Sequence, residues 1–277
     1  MIDLHTHSTA SDGTDSPAAL VRAAQLAGVT TLGLTDHDTT SGWEEAAAEA
    51  MRLGIGLVRG TEVSATFEHR SVHILSLLHD PALPGLTELL MHTRQARLER
   101  LIAMTELLSR DYPISWPDVL AQTTDDTTVG RPHIADALVA AGVVPNRDAA
   151  FAELVSPRGP YYVRYDAASA PDVVTAIKQS GGVAIIAHPF APTRGRGLTD
   201  ESIAELVSAG LDGLEVWHRE MDAPARERAL NLCQRFGLLH TGSSDYHGTG
   251  KANQLGEHYT SPEVLTEIAY RGVLPVI

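Results

Sequence analysis

The sequence predicts an α/β fold on a parallel sheet, either closed into a barrel or doubly wound as a large sheet. Two observations lead to this prediction. Short apolar strands alternate with helical patterns along most of the 277 residues, and such alternation is typical of βα units. It stops between about Pro81 and Pro160, where helical patterns follow one another with little strand. We therefore expect one α/β unit that is interrupted by a mainly helical insertion.

The first part of the chain begins with a strand at "MIDLHTHS" and a helix at "SPAALVRAAQLAGV". Ser16 is predicted to cap that helix, with Pro17 in its first turn. A second strand, "TTLGLTDHD", leads to a helix from about Gly42 to Leu53, which Gly54 closes. The strands "GLVRGTEVSA" and "VHILSLL" then follow one another without a long helix between them.

The middle and last parts of the chain differ in pattern. Apolar residues in "LTELLMHTRQARLERLIAMTELLSR" recur at steps of three and four, which indicates a helix, and Ser115 is typical of another helix start. After residue 160 the alternation returns as "APDVVTAIKQSGG", "VAIIAHP", "DESIAELVSAG", "LDGLEVW", "APARERALNLCQRFG", "LLHTGSSDYHG" and a last helix at "SPEVLTEIAYRG". We expect residues 1–80 and 161–277 to form the α/β unit and residues 81–160 to form the insertion.

Composition narrows the class of protein. A formal net charge of −14 argues against a surface that coats duplex nucleic acid, which would be basic. The start of the chain lacks a secretion signal and no apolar run approaches 18 residues, so we expect a cytoplasmic protein without membrane contact. The chain contains thirteen histidines but only one cysteine, Cys233. This composition favours nitrogen and oxygen metal ligands over sulfur. The sequence leaves the oligomeric state open.

Imidazole and carboxylate side chains occur near the end of almost every predicted strand. They are His5 and His7 with Asp12 just beyond, Asp36-His37-Asp38, Glu62, His73, His188, and Asp245 with His247. A single His-x-His pair is more often a matter of packing or chance than a metal site, and a single "TDHD" is often a capped turn. Because the carboxyl ends of parallel strands form one face of a barrel, all of these residues are expected to converge there. The sequence thus predicts a site for zinc, manganese or iron.

Seven short motifs carry a resemblance to a known family. "DLHTHS", "TDHD", "GTE", "VHIL", "GRPHIADAL", "AHP" and "SDYHG" occur in the order seen in the PHP (polymerase and histidinol phosphatase) family. The spacing resembles the branch that contains 3′,5′-nucleotide bisphosphate phosphatases and enzymes that trim short RNA from its 5′ end. The resemblance implies a distorted (β/α)7 TIM-like barrel that binds two to three divalent metal ions.

The resemblance also implies a set of metal ligands. His5, His7, Glu62 and Asp245 would hold one metal ion. Glu62 would bridge to a second ion held with His73 and His133, the latter from the insertion, and Asp12, His37 and His247 would hold a third. His188 is interpreted as a phosphate contact or proton donor, with strand-end packing as the alternative. Asp36, or Asp38, is expected to orient His37 from behind; the alternative is a turn cap.

Basic and aromatic residues near the motifs are candidates for binding the substrate. Arg131, Arg194, Arg196 and Lys251 are the available cations, although each could equally be an ordinary surface charge. Trp116, Tyr161 or Tyr162 could stack against a base, with packing inside the protein as the stronger alternative.

These observations favour a metal-dependent phosphoesterase that uses a metal-activated hydroxide. Its expected substrate is the 3′-phosphate of a 3′,5′-nucleotide bisphosphate, or a short 5′-phosphorylated oligonucleotide. The first alternative is a phosphatase for histidinol phosphate or another small phosphomonoester. The second is hydrolysis of C–N bonds, which related barrels perform with fewer metals. The third is a metal-binding module without catalytic activity.

Overall fold

Residues 1–124, 126–192 and 197–277 are described by a computed structural model of the chain. In this part of the chain, seven strands form one sheet in sequence order, β1-β2-β3-β4-β5-β6-β7. Their bounds are β1 Ile2–Thr6, β2 Thr31–Leu34, β3 Gly56–Phe67, β4 Arg70–Leu77, β5 Val183–Ile186, β6 Gly213–Trp217 and β7 Leu239–Gly242. A parallel bridge from Thr6 to Tyr246 brings the end of β1 beside the segment after β7. The sheet is therefore a nearly closed seven-stranded barrel, as predicted.

The expectation of a parallel sheet fails at β4, which runs antiparallel to both β3 and β5. Only Glu68 and His69 connect β3 to β4, and both have positive φ, 48° and 64°. A two-residue connection with both residues at positive φ makes a tight hairpin, whereas a parallel crossover needs a dozen residues or more. Consequently the beginning of β4, where His73 lies, is at the same end of the barrel as the end of β3.

The helices flank the strands in the order of the chain. They are α1 Pro17–Leu26, α2 Trp43–Leu53, α3 Pro84–Leu108, α4 Trp116–Leu120, α5 Arg131–Ala140, α6 Arg147–Glu153, α7 Ala170–Gln179, α8 Asp200–Ala209, α9 Ala223–Phe236 and α10 Pro262–Arg271. The caps predicted at Ser16 and Gly54 are confirmed: Ser16 accepts a hydrogen bond from the Ala19 amide, and Gly54 ends α2 at φ 68°. Ser261 caps α10 in the same way as Ser16 caps α1. None of the described helices is both long and apolar enough to cross a membrane.

Helices α3 to α6 pack around an apolar cluster of their own. Leu101 and Met104 of α3 meet Ile134 and Leu138 of α5 there, and Tyr161, Tyr162 and Val163 pack against its edge. A different cluster joins α7, α8, α9 and the beginning of α3, through Leu86 and Leu90, to strands β3 to β6. The division into residues 1–80 and 161–277 with an insertion at 81–160 stays a prediction; the separate cluster around α3 to α6 agrees with it, and its core extends as far as Val163.

Candidate metal centre

The carboxyl ends of the parallel strands bring histidines and carboxylates into one buried cluster. Three overlapping groups have ligand atoms within 4.8 Å of one another: His5, His7, Glu62 and Asp245; His7, Asp12, His37 and His247; and His37, Glu62 and His73. The convergence predicted from strand-end positions is therefore present for eight of the nine residues that the family pattern implies as ligands.

Glu62 lies at the centre of this cluster. Its Oε2 is 3.3 Å from His5 Nε2, 3.1 Å from His7 Nε2 and 3.2 Å from His37 Nδ1, while its Oε1 is 2.7 Å from His73 Nδ1. His5 lies on β1 and His7 directly follows it, and their side chains point to the same side. Their Nε2 atoms are 3.1 Å apart. With His188 Nε2 at 3.3 Å from Oε1, one carboxylate thus touches five imidazoles that come from four segments of the chain.

Asp245 and Asp12 complete the cluster on either side of His7. Asp245 Oδ1 is 3.5 Å from His5 Nε2 and 3.3 Å from His7 Nε2. Asp12 Oδ1 is 3.2 Å from His247 Nε2, and the rings of His7 and His247 stack at a centroid distance of 4.0 Å. Since these side chains are almost entirely buried, their charges cannot be screened by water.

The electrostatics of the cluster keep its carboxylates ionised. Burial opposes the charge of Glu62, but the surrounding His37, His73 and His5 hold the pKa of its carboxyl well below the usual range. Burial opposes the charge of Asp12 too, and His247 and His37 hold its pKa well below the usual range. Burial lowers the pKa of His247 to about 4. The cluster accordingly offers anionic oxygens beside the neutral imidazole of His247, while Asp245 and Glu62 act against burial and raise the pKa of His7 to about 9.

Two atoms indicate that a cation suits this cluster. Asp12 Oδ1 and His37 Nδ1 are buried, and neither makes a hydrogen bond within the described part of the chain. Buried polar atoms normally have partners, and unpaired ones are costly. A divalent ion would satisfy both atoms and would also separate the crowded Nε2 atoms of His5 and His7. The nitrogen and oxygen donors fit zinc, manganese and iron alike.

Glu215 and His218 support the cluster and were not singled out in the sequence. Glu215 Oε1 is 3.1 Å from His5 Nδ1, and its Oε2 accepts a hydrogen bond from the His188 amide. His218 accepts from the Glu220 amide at Nδ1, so its Nε2 carries the proton that faces Asp245 Oδ2 at 3.5 Å. The signal that could have identified Glu215 is the presence of a carboxylate inside the apolar strand "LDGLEVW", because a buried acid in a strand needs a partner.

The two aspartates that flank His37 accept hydrogen bonds from residues other than His37. Asp36 accepts hydrogen bonds from the Ser8 amide and from the hydroxyls of Ser8 and Ser11, and Ser11 Oγ is 3.4 Å from His7 Nδ1. Asp38 accepts from the amide and hydroxyl of Ser64. Asp36 is thus connected through Ser11 to His7 rather than to His37, and its catalytic role stays a prediction.

His133 lies apart from the three groups. It is buried at the third position of α5, where its Nδ1 accepts a hydrogen bond from the Gly130 amide across the start of the helix. Its assignment as a ligand stays a prediction.

His188 and Lys251 lie at the cluster. His188 has a positive φ of 35°, and its Nε2 is 3.3 Å from Glu62 Oε1. Lys251 donates a hydrogen bond to Asp245 Oδ2 at 2.9 Å. The predicted strand-end position of His188 therefore puts it in direct contact with the central carboxylate.

The other predicted substrate residues have different positions. Arg131 begins α5 and donates to the Val155 carbonyl, with its guanidinium beside the rings of Phe151 and Tyr162. Arg194 and Arg196 lie outside the described residues. The aromatic side chains Trp116, Tyr161 and Tyr162 pack against the core of α3 to α6, which agrees with the packing alternative rather than with base stacking.

Comparisons with known proteins agree with this geometry. The PHP domain family matches residues 3–134. The chain is 35% identical over 260 residues to a 3′,5′-nucleoside bisphosphate phosphatase of Chromobacterium violaceum, covering 91% of this chain and 89% of that protein. It is 34% identical to a 5′-3′ exoribonuclease of Haemophilus influenzae, covering 88% and 89%. It is also 34% identical to a phosphoribosyl 1,2-cyclic phosphate 1,2-diphosphodiesterase of Eggerthella lenta, covering 89% and 94%.

A solved structure from Bifidobacterium adolescentis, described as a candidate metal-dependent phosphoesterase, superposes with a TM-score of 0.96 at 46% identity, over 98% of this chain and 96% of that one. The likeness in sequence extends over nearly the whole chain, and the buried cluster has the donors that metal-dependent hydrolysis requires. The protein is a metal-dependent phosphoesterase, and it belongs to the PHP domain family.

Proposed function

We propose that this protein removes the 3′-phosphate of 3′,5′-nucleotide bisphosphates and also hydrolyses short 5′-phosphorylated RNA. The observation that carries the proposal is the Glu62-centred cluster, in which one carboxylate touches five imidazoles. The names of two relatives, a 3′,5′-nucleoside bisphosphate phosphatase and a 5′-3′ exoribonuclease, support this choice of substrate.

The ligands in this proposal are the residues of the three groups, with His133 as a further ligand from the insertion. Two or three divalent ions held there, manganese, zinc or iron, would neutralise the charge of a phosphate ester and supply hydroxide at neutral pH. The protein's own contribution is to fix the donors. Glu215 accepts at its Oε1 the proton of His5 Nδ1, and this leaves His5 Nε2 free to coordinate.

His188 is the proposed proton donor to the leaving oxygen, or a contact to the phosphate. Its main-chain amide is held by Glu215 and its Nε2 lies beside Glu62, so both ends of the residue are fixed. A residue positioned in this way can transfer a proton without reorganising first. Asp36 is proposed to act less directly, by holding His7 through Ser11.

Cations near the cluster are proposed to bind the negative charge of the substrate. Lys251 is nearest, because it already pairs with Asp245 at the cluster. A phosphate arriving there would compete for the Lys251 ammonium. Arg131 and Arg194 remain proposed phosphate contacts from the sequence. The expected partners are accordingly a small phosphorylated nucleotide or short oligonucleotide, and a cytoplasmic location stays a prediction.

A second candidate reaction is hydrolysis of a cyclic phosphate diester of a sugar. The Eggerthella lenta diphosphodiesterase is 34% identical to this chain over almost its whole length. Histidinol phosphate and other small phosphomonoesters remain alternative substrates.

The test is hydrolysis by the manganese-loaded protein, measured as inorganic phosphate for the phosphomonoesters and as nucleoside 5′-monophosphate or ring-opened sugar phosphate for the RNA trimer and the cyclic diester. The substrates to compare are adenosine 3′,5′-bisphosphate, a 5′-phosphorylated RNA trimer, a ribose 1,2-cyclic phosphate, histidinol phosphate and an aryl phosphate. We expect kcat/KM to be highest for the bisphosphate. A higher kcat/KM for the cyclic diester or for histidinol phosphate would overturn the proposed substrate.

The variant His5→Ala tests the centre itself, with His240→Ala as its control, because His240 is an exposed histidine on β7. His5→Ala should lose both phosphatase activity and bound metal, while His240→Ala should keep both. Unchanged metal content and activity in His5→Ala would show that the cluster is not the active centre.

A further inference from the structure

Two arginines of α3, one helical turn apart, are buried, and Arg97 lies against the metal centre. The exposed fraction is 5% for Arg97 and 7% for Arg100. Arginine remains protonated at neutral pH, and a buried charge is costly unless a partner of opposite charge or several hydrogen bonds compensate it. Each of these two guanidinium groups therefore requires an anion or a full set of acceptors nearby.

Arg97 has these partners. It donates to Asp38 Oδ2 at 3.0 Å, to Ser64 Oγ at 2.8 Å and to the Val129 carbonyl at 3.2 Å. Asp38 follows His37 directly in the chain, so this ion pair lies against the metal centre. The charge of Arg97 is thereby compensated inside the protein.

Arg100 lacks such hydrogen-bond and ion-pair partners within the described part of the chain. Among the described residues, its guanidinium makes no hydrogen bond or ion pair, and its Nε is buried without a partner. Its one strong contact is the face of the Tyr165 ring, with Cζ 4.3 Å from the ring centroid. A cation–π contact contributes about 0.5 to 2 kcal/mol, which is less than the cost of burying a charge without an anion.

The charges around Arg100 make an anion more favourable still. Burial and the like charge of Arg97 lower the pKa of Arg100 from 12.5 to about 10, and Arg131 adds to this effect. Arg100 nevertheless stays protonated at neutral pH. Three cationic side chains from α3 and α5 thus act on one another in this part of the protein, and Asp38 is the anion that pairs with Arg97.

The position of Arg100 suits a substrate that reaches the metal centre. Arg97 lies within electrostatic range of Asp12 and Glu62 of the cluster, and Arg100 is about 4.5 Å further along the axis of α3. A nucleotide whose 3′-phosphate occupies the centre has its 5′-phosphate several ångströms away. A guanidinium suits that group, because it can bind two phosphate oxygens at once.

We propose that Arg100 forms a second phosphate subsite, which binds the substrate phosphate that is not hydrolysed. This inference rests on the proposed function, because it assumes a nucleotide with two phosphates at the metal centre. Tyr165 holds the guanidinium in place from one side, and the bound phosphate supplies the missing anion. Arg100 is then a residue that determines specificity for doubly phosphorylated substrates.

The experiment compares two substrates that differ by one group, adenosine 3′,5′-bisphosphate and adenosine 3′-monophosphate. The variant is Arg100→Met and its control is Arg110→Met, an exposed arginine just after α3. In Arg100→Met we expect kcat/KM for the bisphosphate to fall by about 10- to 100-fold, the value of a lost charged hydrogen bond. Turnover of the monophosphate should change by less than about threefold. Equal losses on both substrates, or no loss on the bisphosphate, would overturn the subsite.

Stability gives an independent readout. Removal of an uncompensated buried charge should leave Tm unchanged or raise it, whereas a structural role for Arg100 predicts a lower Tm. Should Arg100→Met fail to fold, Arg100→Lys keeps the charge without the paired donors and should lose part of the preference for the bisphosphate. A preference left intact in Arg100→Lys would contradict two-point binding.

Binding separates the subsite from the proposed function. Calorimetry with adenosine 5′-monophosphate and adenosine should show tighter binding of the nucleotide to the wild-type protein and about equal, weak binding to Arg100→Met. If this difference is found but no nucleotide is hydrolysed, the subsite stands and the proposed reaction is wrong. If nucleotides are hydrolysed and the two ligands bind wild type equally, the subsite is wrong and the reaction stands.

Discussion

Buried histidines occur at both ends of this barrel, and their surroundings differ. At the carboxyl ends of the parallel strands, His5, His7 and His37 surround the carboxylate of Glu62. Past the end of the antiparallel strand β4, His79 packs near Gly182 at the start of β5, with its ring 5.0 Å from Trp43. Its Nδ1 contacts Ser76, and its Nε2 has no hydrogen bond within the described residues.

The difference shows that burial alone does not make a histidine functional. Burial lowers the pKa of His79 to about 4, so this residue is neutral in the folded protein at pH 7. In the cluster the carboxylates work against burial: although burial lowers it, Asp245 and Glu62 raise the pKa of His7 to about 9. Convergence of anions with imidazoles distinguishes a candidate metal site from a packed core histidine.

The largest effect is expected where the cluster loses its central charge. Glu62→Gln removes the carboxylate that touches five imidazoles, and loss of one partner of a buried charged pair costs about 3 to 5 kcal/mol. We expect metal content and kcat/KM to fall by two to three orders of magnitude, measured by elemental analysis and phosphate release. Glu44→Gln on the exposed surface of α2 is the control. If Glu62→Gln retained its metal, Glu62 would not be a central ligand of the site.

Removal of the metal should distinguish the two ends of the barrel directly. An ion that binds only the folded state at 100 times its Kd stabilises that state by about 2.7 kcal/mol. A chelator should therefore lower the Tm of the wild-type protein, and excess Mn²⁺ should restore it. The variant His79→Gln should respond in the same way, whereas Glu62→Gln should not respond. A smaller metal response in His79→Gln would mean that the two ends are coupled.

The variant Glu215→Gln tests a residue that supports the cluster from outside. Glu215 contacts His5 but belongs to none of the three ligand groups. Changes to residues that orient ligands typically cost 10- to 100-fold in metal affinity. We expect a loss of about that size in a metal titration, with Tm of the chelated protein changed much less. Full retention of metal affinity would show that His5 is oriented without Glu215.

The smallest effect is expected at His79, and it depends on pH. The pKa of His79 is about 4 in the folded protein and about 6.5 in the unfolded chain. The unfolded state thus binds the proton more tightly, so stability decreases as pH falls from about 6.5 to 4. Between pH 7.5 and 5.5 this group should cost about 1.4 kcal/mol of unfolding free energy.

Urea unfolding at the two pH values measures that cost. His79→Gln keeps a polar group for Ser76 but does not titrate, so its loss of stability between pH 7.5 and 5.5 should be smaller than in wild type by about this amount. Both proteins share the titration of the metal cluster, which cancels in the difference. An identical pH dependence in the two proteins would show that His79 is not held neutral.

Much of the fold was determined by local signals. Ser16, Gly54 and Ser261 mark helix ends through cap chemistry that involves only neighbouring residues. The alternation of strands and helices predicted the barrel, and the spacing of His5 and His7 predicted a shared face. The antiparallel direction of β4 was not predicted. It depends on a tight connection in which two non-glycine residues, Glu68 and His69, adopt positive φ, and the sequence does not indicate this conformation.

By itself the sequence determined which segments form strands and helices, and which chemical groups stand at the strand ends. Only the tertiary structure decided which of those groups meet. It brought Glu62 among five imidazoles, linked Asp36 to His7 through Ser11, placed Glu215 behind His5, and left Arg100 buried with no anion among the described residues. The physical reason is that caps and periodicity depend on residues a few positions apart. Electrostatic pairing, by contrast, depends on distances between segments far apart in the chain; His5 and Glu215, for example, are separated by 210 residues.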